Sequence, residues 1–254
     1  MSDLSNSKAP AAVRLISILN YIANNEDASF TEICKELSIP KSSTFHLLDV
    51  LTSSQFLRQR ADGRYVLGLR LFELGGLSIK NLDLRKEAIV FMHELVNLTK
   101  LTSHLGILDG NSGFFLSKVE SPQAIVRTSW EGKKIIFNRM ALGKVLLAWL
   151  PETQIEEILA DCNFEKRTEK TITNKDDFLE HLKLVKKQGW AIDDGEDITE
   201  ICCIAAPIYN AEGNVIAALG INGMQSQYEN GKKQQHLNNL LATCKKISDA
   251  VNHR

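Results

Sequence analysis

Apolar residues in the first 70 positions recur mainly at helical spacing, and short extended runs take over near position 56. Ala12, Leu15, Ile16, Leu19 and Ala23 share one stripe, which predicts a helix over Pro10–Asn24, broken by Asn25, Glu26 and Asp27. Ser29-Phe30-Thr31-Glu32 has capping-box spacing: the serine hydroxyl accepts from the Glu32 amide while the Glu32 side chain reaches back. A short second helix follows and buries Ile33 and Leu37. Pro40 suits the first position of a third helix, where a missing amide proton costs nothing. On that helix Thr44, Leu47, Leu48 and Leu51 share one face, and Ser42, His46, Asp49 and Ser53 lie opposite. Phe56–Arg60 and Arg64–Leu67 flank Ala61-Asp62-Gly63, the pattern of a hairpin. Helix, helix, short turn, helix, hairpin is the order of a winged helix-turn-helix.

Leu69–Asp83 reads as a connecting helix with Gly75-Gly76 inside it. Leu84–Leu98 is strongly helical, with Ala88, Phe91, Met92 and Leu95 on one face. The rest alternates. His104–Leu108 and Phe114–Val119 read as strands around Asp109–Gly113, and Ile125–Trp130 as another strand. Ala141–Leu150 is a helix stopped by Pro151, and Ile155–Ala160 and Asp176–Gln188 are helices. Ile201–Tyr209 and Val215–Asn222 are strands around Asn210–Asn214, and a helix over His236–Val251 closes the chain. Hairpins mixed with separate helices predict an α+β fold with a mostly antiparallel sheet. The expected division is 1–70 for the winged helix-turn-helix, 71–83 for the connecting helix and 84–254 for the rear domain.

Composition narrows the class. The 254 residues are 44% hydrophobic and 24% charged, which excludes a disordered or fibrous chain. A formal charge of -1 excludes a strongly basic coat but not a basic patch. No apolar run reaches membrane-spanning length, and the polar start lacks a secretory core. Cys34, Cys162, Cys202, Cys203 and Cys244 form no CxxC pair, so a reducing cytoplasm is the expected location.

The front domain carries the residue types for duplex DNA. Lys41, Ser42, Ser43, Thr44 and His46 occupy the start and outer face of the third helix, where short polar side chains reach base edges or phosphates. Arg58, Arg60 and Arg64 put three cations on the hairpin. From Ser38 to Arg70 the basic residues exceed the acidic by three, and phosphate contact depends on that local balance. A polar helix face is also compatible with a solvated bundle, and some winged helices bind protein.

Longer stretches carry a resemblance. Ile39-Pro40-Lys41-Ser42-Ser43-Thr44-Phe45-His46-Leu47-Leu48 and Gly63-Arg64-Tyr65-Val66-Leu67-Gly68-Leu69-Arg70-Leu71 lie in front. Behind them come Asp83-Leu84-Arg85, His104-Leu105, Leu108-Asp109-Gly110, Val119-Glu120-Ser121, Ala141-Leu142-Gly143-Lys144 and Cys203-Ile204-Ala205-Ala206-Pro207-Ile208. In this order the sequence resembles the IclR family of bacterial transcriptional regulators. The resemblance implies a winged helix-turn-helix joined by a helix to a GAF-like domain that binds a small-molecule effector, commonly an organic, sugar or aromatic acid. It implies a homodimer or homotetramer, a double-stranded DNA operator, no cofactor, and repression more often than activation. Carried over position by position, the implied effector residues are Ala141, Leu142, Asp193, Ile201, Cys203, Gly220 and Asn222. The first two open a helix whose free amides suit a carboxylate. Asp193 opens an acidic loop that closes the pocket, and Gly220 and Asn222 share a sheet face.

The sequence departs from the family pattern at several places. His46 stands where Arg is common, and Phe45 where His or Tyr is. Asn138 replaces a frequent His, Gly195 an acid, Glu200 a Gly and Cys202 an Arg. Gly220 and Asn222 replace serines. These changes predict a ligand unlike the simplest small keto acid, and larger. Catalysis by Cys203, His104 and Asp193 has the right residue types but no local signature. A Cys202–Cys203 redox pair would be strained between neighbouring strand positions. His93, His104 and His181 stand apart, and Asp193–Asp197 lacks calcium-loop spacing.

Overall fold

The computed structural model describes residues 8–79, 83–124 and 129–252. The chain divides into two units, Met1–Asn81 and Leu82–Arg254. In the first, α1 (Pro10–Asn25), α2 (Phe30–Glu36) and α3 (Lys41–Ser53) precede the hairpin β1 (Leu57–Gln59) and β2 (Tyr65–Leu67), and α4 (Leu69–Ile79) follows. The capping box at Ser29 forms as its spacing predicts, with Glu32 Oε2 accepting from the Ser29 amide at 2.7 Å. Pro40 sits one position earlier than expected. Its ψ of 140° is extended, so it caps α3 from outside while its carbonyl accepts from the Thr44 amide. Ile18, Ile22, Ile33, Ile39, Leu48, Leu51 and Leu57 fill the core between helices and hairpin.

The hairpin is fastened at both ends. Ala28 exchanges two backbone hydrogen bonds with Tyr65, adding a one-residue bridge to the edge of the wing. At the other end the Gly68 amide donates to the Phe56 carbonyl, and any Cβ at Gly68 would collide with the Gln55 carbonyl. Glycine is required there by close approach, since its backbone is not left-handed.

In the second unit α5 (Asp83–Thr99) leads into β3 (Thr102–Asp109), β4 (Ser112–Val119) and β5 (Lys134–Ile135). Then come α6 (Ala141–Ala148), α7 (Glu152–Ala160), α8 (Lys175–Gln188), β6 (Ala191–Asp194), β7 (Ile201–Tyr209) and β8 (Val215–Met224). A 3-10 turn (Gln225–Tyr228) and α9 (Lys232–Asn252) complete it. The sheet runs β5-β4-β3-β8-β7-β6 with every pairing antiparallel. Helices α5 and α9 pack together and against it, and α6 packs on the sheet with α8 behind it. The architecture is α+β.

All eight residues of α6 are buried, so this short helix is a core element enclosed on every side. Strands β5 and β6 were not legible as strands. Each is a short edge strand: β5 spans two residues and pairs with β4 some twenty residues back, and β6, Ala-Ile-Asp-Asp, pairs with the next strand but ends in charge, which reads as loop. The last helix begins at Lys232, before the expected His236. Of the strand expected over Ile125–Trp130, Ile125–Thr128 lie outside the described residues, and Ser129 and Trp130 are irregular.

Candidate functional site

The face α3 turns outward is set by its core side. Thr44, Leu48 and Leu51 are buried, which leaves Lys41, Ser42, Phe45, His46, Asp49 and Val50 exposed and Ser43 half-buried. Thr44 was expected both on the inner face and among the DNA contacts, and burial excludes the second role. Its hydroxyl donates within the fold, with the Pro40 and Ile39 carbonyls at 3.2 and 3.4 Å. Lys41 stands in the first turn of α3, which no side chain caps, so amide dipole and ammonium share one end.

The wing arginines divide into two kinds. Arg64 Nε donates to Asp27 Oδ1 at 2.7 Å and its Nη2 lies 3.0 Å from Glu32. Arg60 Nη1 donates to Asp27 Oδ2 at 2.7 Å. These contacts hold the hairpin to the start of α2, and they draw Arg64 above the usual guanidinium range and Glu32 below the usual carboxylate range, where the Ser29 hydrogen bonds act first. Arg58 is exposed and has no ion-pair partner among the described residues. Asp27 and Glu32 offset two of the three net positive charges that the sequence window gives. Among the described residues the cations of α3 and the hairpin with no ion-pair partner are Lys41 and Arg58.

The second unit encloses a cavity of about 590 Å³, its open mouth included. Ala141, Leu142, Asp193, Ile201, Cys203, Gly220 and Asn222 all line it, so the structure brings together all seven residues carried over from the resemblance. Sheet register explains the convergence. Asp193 faces Cys203, Cys203 faces Asn222 and Asn222 faces Thr102, a polar row across four neighbouring strands. His104, Gly220 and Ala205 form the next row. A Cβ at Gly220 would press on Leu142 at 3.3 Å, so glycine there lets α6 approach the sheet. Asp193 is the last buried residue of a strand rather than the start of the loop, which begins at Gly195 with φ of 80°.

The electrostatics of its walls are set by burial. Burial drives the His104 imidazole down to about 3, with Lys118 and Lys133 adding to the effect, so the ring is neutral. Its Nε2 lies 2.6 Å from Ser129 Oγ. Burial lifts the Asp193 carboxyl to about 7 against the opposing pull of the Glu196 amide that it accepts at 2.7 Å. Asn222 Oδ1 is buried and unpartnered among the described residues. Helix α6 opens on the cavity with no side-chain cap.

The acidic run beside the cavity is a latch. Lys144 Nζ, wholly buried, lies 2.5 and 2.7 Å from the two Glu196 oxygens and 2.8 Å from the Ile192 carbonyl. Asp197 lies 2.6 Å from Arg139, Asp194 pairs with Lys170, and the hydroxyls of Thr168 and Thr171 donate to the Gly195 and Glu196 carbonyls. These carboxylates are matched to cations, which agrees with a loop that closes the cavity and not with a calcium loop. Among the described residues no group of three His, Cys, Asp or Glu is placed to hold a metal ion.

A family model described as the bacterial transcriptional regulator IclR C-terminal matches residues 76–249, and the IclR helix-turn-helix domain model matches residues 11–61. The chain belongs to the IclR family. An uncharacterised HTH-type transcriptional regulator, RhmR of Escherichia coli K12, is 36% identical over 245 residues, covering 96% of this chain and 94% of that one. The regulator KdgR of the same organism is 30% identical over 247 residues, covering 97% and 94%. The crystal structure of Thermotoga maritima IclR superposes with a TM-score of 0.76 at 28% identity, covering 96% and 99%.

As an IclR-family member the chain is a DNA-binding transcriptional regulator whose front unit is its helix-turn-helix. His104, expected as a hydrogen-bonded residue of the pocket wall or core, lines the cavity, whereas sequence reasoning missed Ser129 and Lys133. His104 was visible as a strand histidine, but its place beside Gly220 depends on non-local pairing. Lys133 lies over the Trp130 ring at 4.9 Å, a contact signalled only by their spacing in the chain. Among the described residues no helix is long and apolar enough to cross a membrane.

Proposed function

We propose that this regulator holds its operator through the outer face of α3 and the wing, and that the cavity of the second unit takes an organic acid as effector. Lys41, Ser42, Ser43 and His46 contact bases or adjacent phosphates, and Arg58 takes the flanking backbone. Arg60 and Arg64 serve DNA at second hand, by holding the hairpin against Asp27 and Glu32. In a homodimer two such helices enter successive major grooves about 34 Å apart. A division at 1–70, 71–83 and 84–254 suits these roles, with the operator reached in the cytoplasm.

The observation that carries the effector reading is the buried Asn222 oxygen, unpartnered among the described residues, in a half-open pocket beside the uncapped start of α6. The α6 amides, Lys133 and the Ser129 hydroxyl suit a carboxylate. Asp193 and Asn222 Oδ1 accept from hydroxyl groups at the other end. A hydroxy acid larger than two carbons, of the sugar-acid or aromatic-acid kind, meets both requirements. Burial raises the Cys203 thiol well above its ordinary range, which favours a binding wall over a nucleophile. The ligand acts by its differential affinity for two arrangements of the regulator, and repression relieved by ligand is the direction we favour.

Two measurements test this reading. The purified chain is mixed with sheared genomic DNA and the bound fragments are sequenced; enrichment of a near-palindromic site supports it, and no enrichment favours a protein-binding winged helix. A thermal-shift series then compares two-carbon keto acids with sugar and aromatic acids. Stabilisation by the two-carbon acid alone would sink the larger-ligand reading.

A further inference from the structure

We propose that Phe45 reads the C5 methyl group of a thymine in the operator's major groove. This rests on the assignment of α3 as the helix that enters DNA. Phe45 is 63% exposed, and it lies outside the apolar cluster that α3 packs with Ile18, Ile33 and Leu57. One helical turn before it stands Lys41 and one turn after it Asp49, both exposed, so the ring sits in the middle of a polar stripe. The His46 ring meets it edge-on with centroids 5.8 Å apart, which restricts how it swings.

The partner follows from chemistry. A phenyl ring offers no hydrogen bond, and the thymine methyl is the apolar feature of a major-groove base edge. The surroundings specify nucleic acid: Lys41 and the uncapped start of α3 lie on one side, Ser42 and His46 on the other, and unpaired Arg58 on the wing. A phenylalanine left this far in water gains when the groove covers it. The resemblance placed His or Tyr here, so this contact gives the chain its own operator preference.

The test uses the full chain and a duplex site selected by the wild-type protein from a random pool. Each thymine in the site is replaced in turn by deoxyuridine, which removes only the methyl. Affinity is read at fixed salt for wild type and Phe45→Ala, with thermal unfolding confirming that the variant is folded. One deoxyuridine position per half-site should weaken wild-type binding about four-fold, the scale of one buried methyl group. Phe45→Ala should bind the thymine duplex more weakly and be indifferent to that replacement. A flat deoxyuridine series for wild type, or an equal penalty in Phe45→Ala, would overturn the proposal while leaving the operator reading intact. Unchanged DNA binding with altered sedimentation of Phe45→Ala would assign the ring to a second copy instead. Failure of wild type to select any sequence would overturn the α3 assignment and this inference with it.

Discussion

The two units handle charge in opposite ways. In the front unit Arg60, Arg64, Asp27 and Glu32 meet at the surface, where water screens them. In the rear unit Lys144, Glu196, Asp193 and His104 are buried, and burial raises the Asp193 carboxyl to about 7 and lowers the His104 imidazole to about 3. A surface site recognises its partner by local field and responds to salt. A buried site recognises by desolvation and direct contact and responds to pH. The proposed functions of the two units, a polymer held outside and a small molecule held inside, thus rest on different physics.

The largest expected break in that contrast is Lys144→Ala. It strands the Glu196 carboxylate in the core and should cost about 3–5 kcal/mol, whereas Lys144→Met with Glu196→Leu should recover most of the loss. Trp130, Trp149 and Trp190 all lie in the rear unit, so urea unfolding followed by tryptophan fluorescence reads that unit alone. A Lys144→Ala variant as stable as wild type would show the latch to be dispensable.

The next test is pH. Between about pH 4 and 7 folded Asp193 keeps a proton that the unfolded chain has lost, so its contribution to stability falls as pH rises through that window. His104, lowered to about 3, and His181, lowered to about 4, act the other way: the unfolded chain takes up protons below about 6.5 that the folded chain refuses, and stability falls as pH drops. The slopes oppose one another in their common range. Asp193→Asn should therefore unmask the histidines and lose melting temperature faster than wild type from pH 6.5 to 4.5. Parallel curves would mean that Asp193 ionises normally.

Smaller effects belong to the front unit. Arg58→Ala should lower the slope of log affinity against log salt by about 0.9 per half-site, the signature of one lost phosphate. Arg64→Ala should leave that slope alone and speed hydrogen exchange of the Leu57–Gln59 amides; reversed results would exchange the two roles. Thr44→Val should cost about 1 kcal/mol through the lost buried hydroxyl contacts while operator preference is kept. A changed preference at unchanged stability would mean that α3 presents a different face.

The front unit was legible because its signals are local. The Ser29 box spans four residues and the wing turn three, and both form where the spacing puts them. Helical periodicity also placed Thr44 inward, and the error lay in counting it for DNA by residue type. The ion pairs of the wing were not legible from the hairpin alone: Asp27 lies 33 residues before Arg60 and outside any window centred on the hairpin. The rear unit's cavity was legible only through resemblance, since its walls come from β3, β6, β7, β8 and the start of α6. Nothing nearby in sequence joins Lys144 to Glu196, 52 residues on.

Gly68 has a mechanical consequence. The root of α4 is tied to the short connection between α3 and β1, because the Gly68 amide donates to Phe56 and the Arg70 amide to Gln55, with no room for a side chain between. A twist applied along α4 therefore reaches the recognition helix as through a rigid crank, without slack at the joint. Gly75 and Gly76 sit further along the same shaft with no atom near enough to brace them, and each costs about 1 kcal/mol of helical preference relative to alanine. The transmission is stiff at Gly68 and compliant about two turns away, so that is where a replacement by alanine would change how much of a twist gets through.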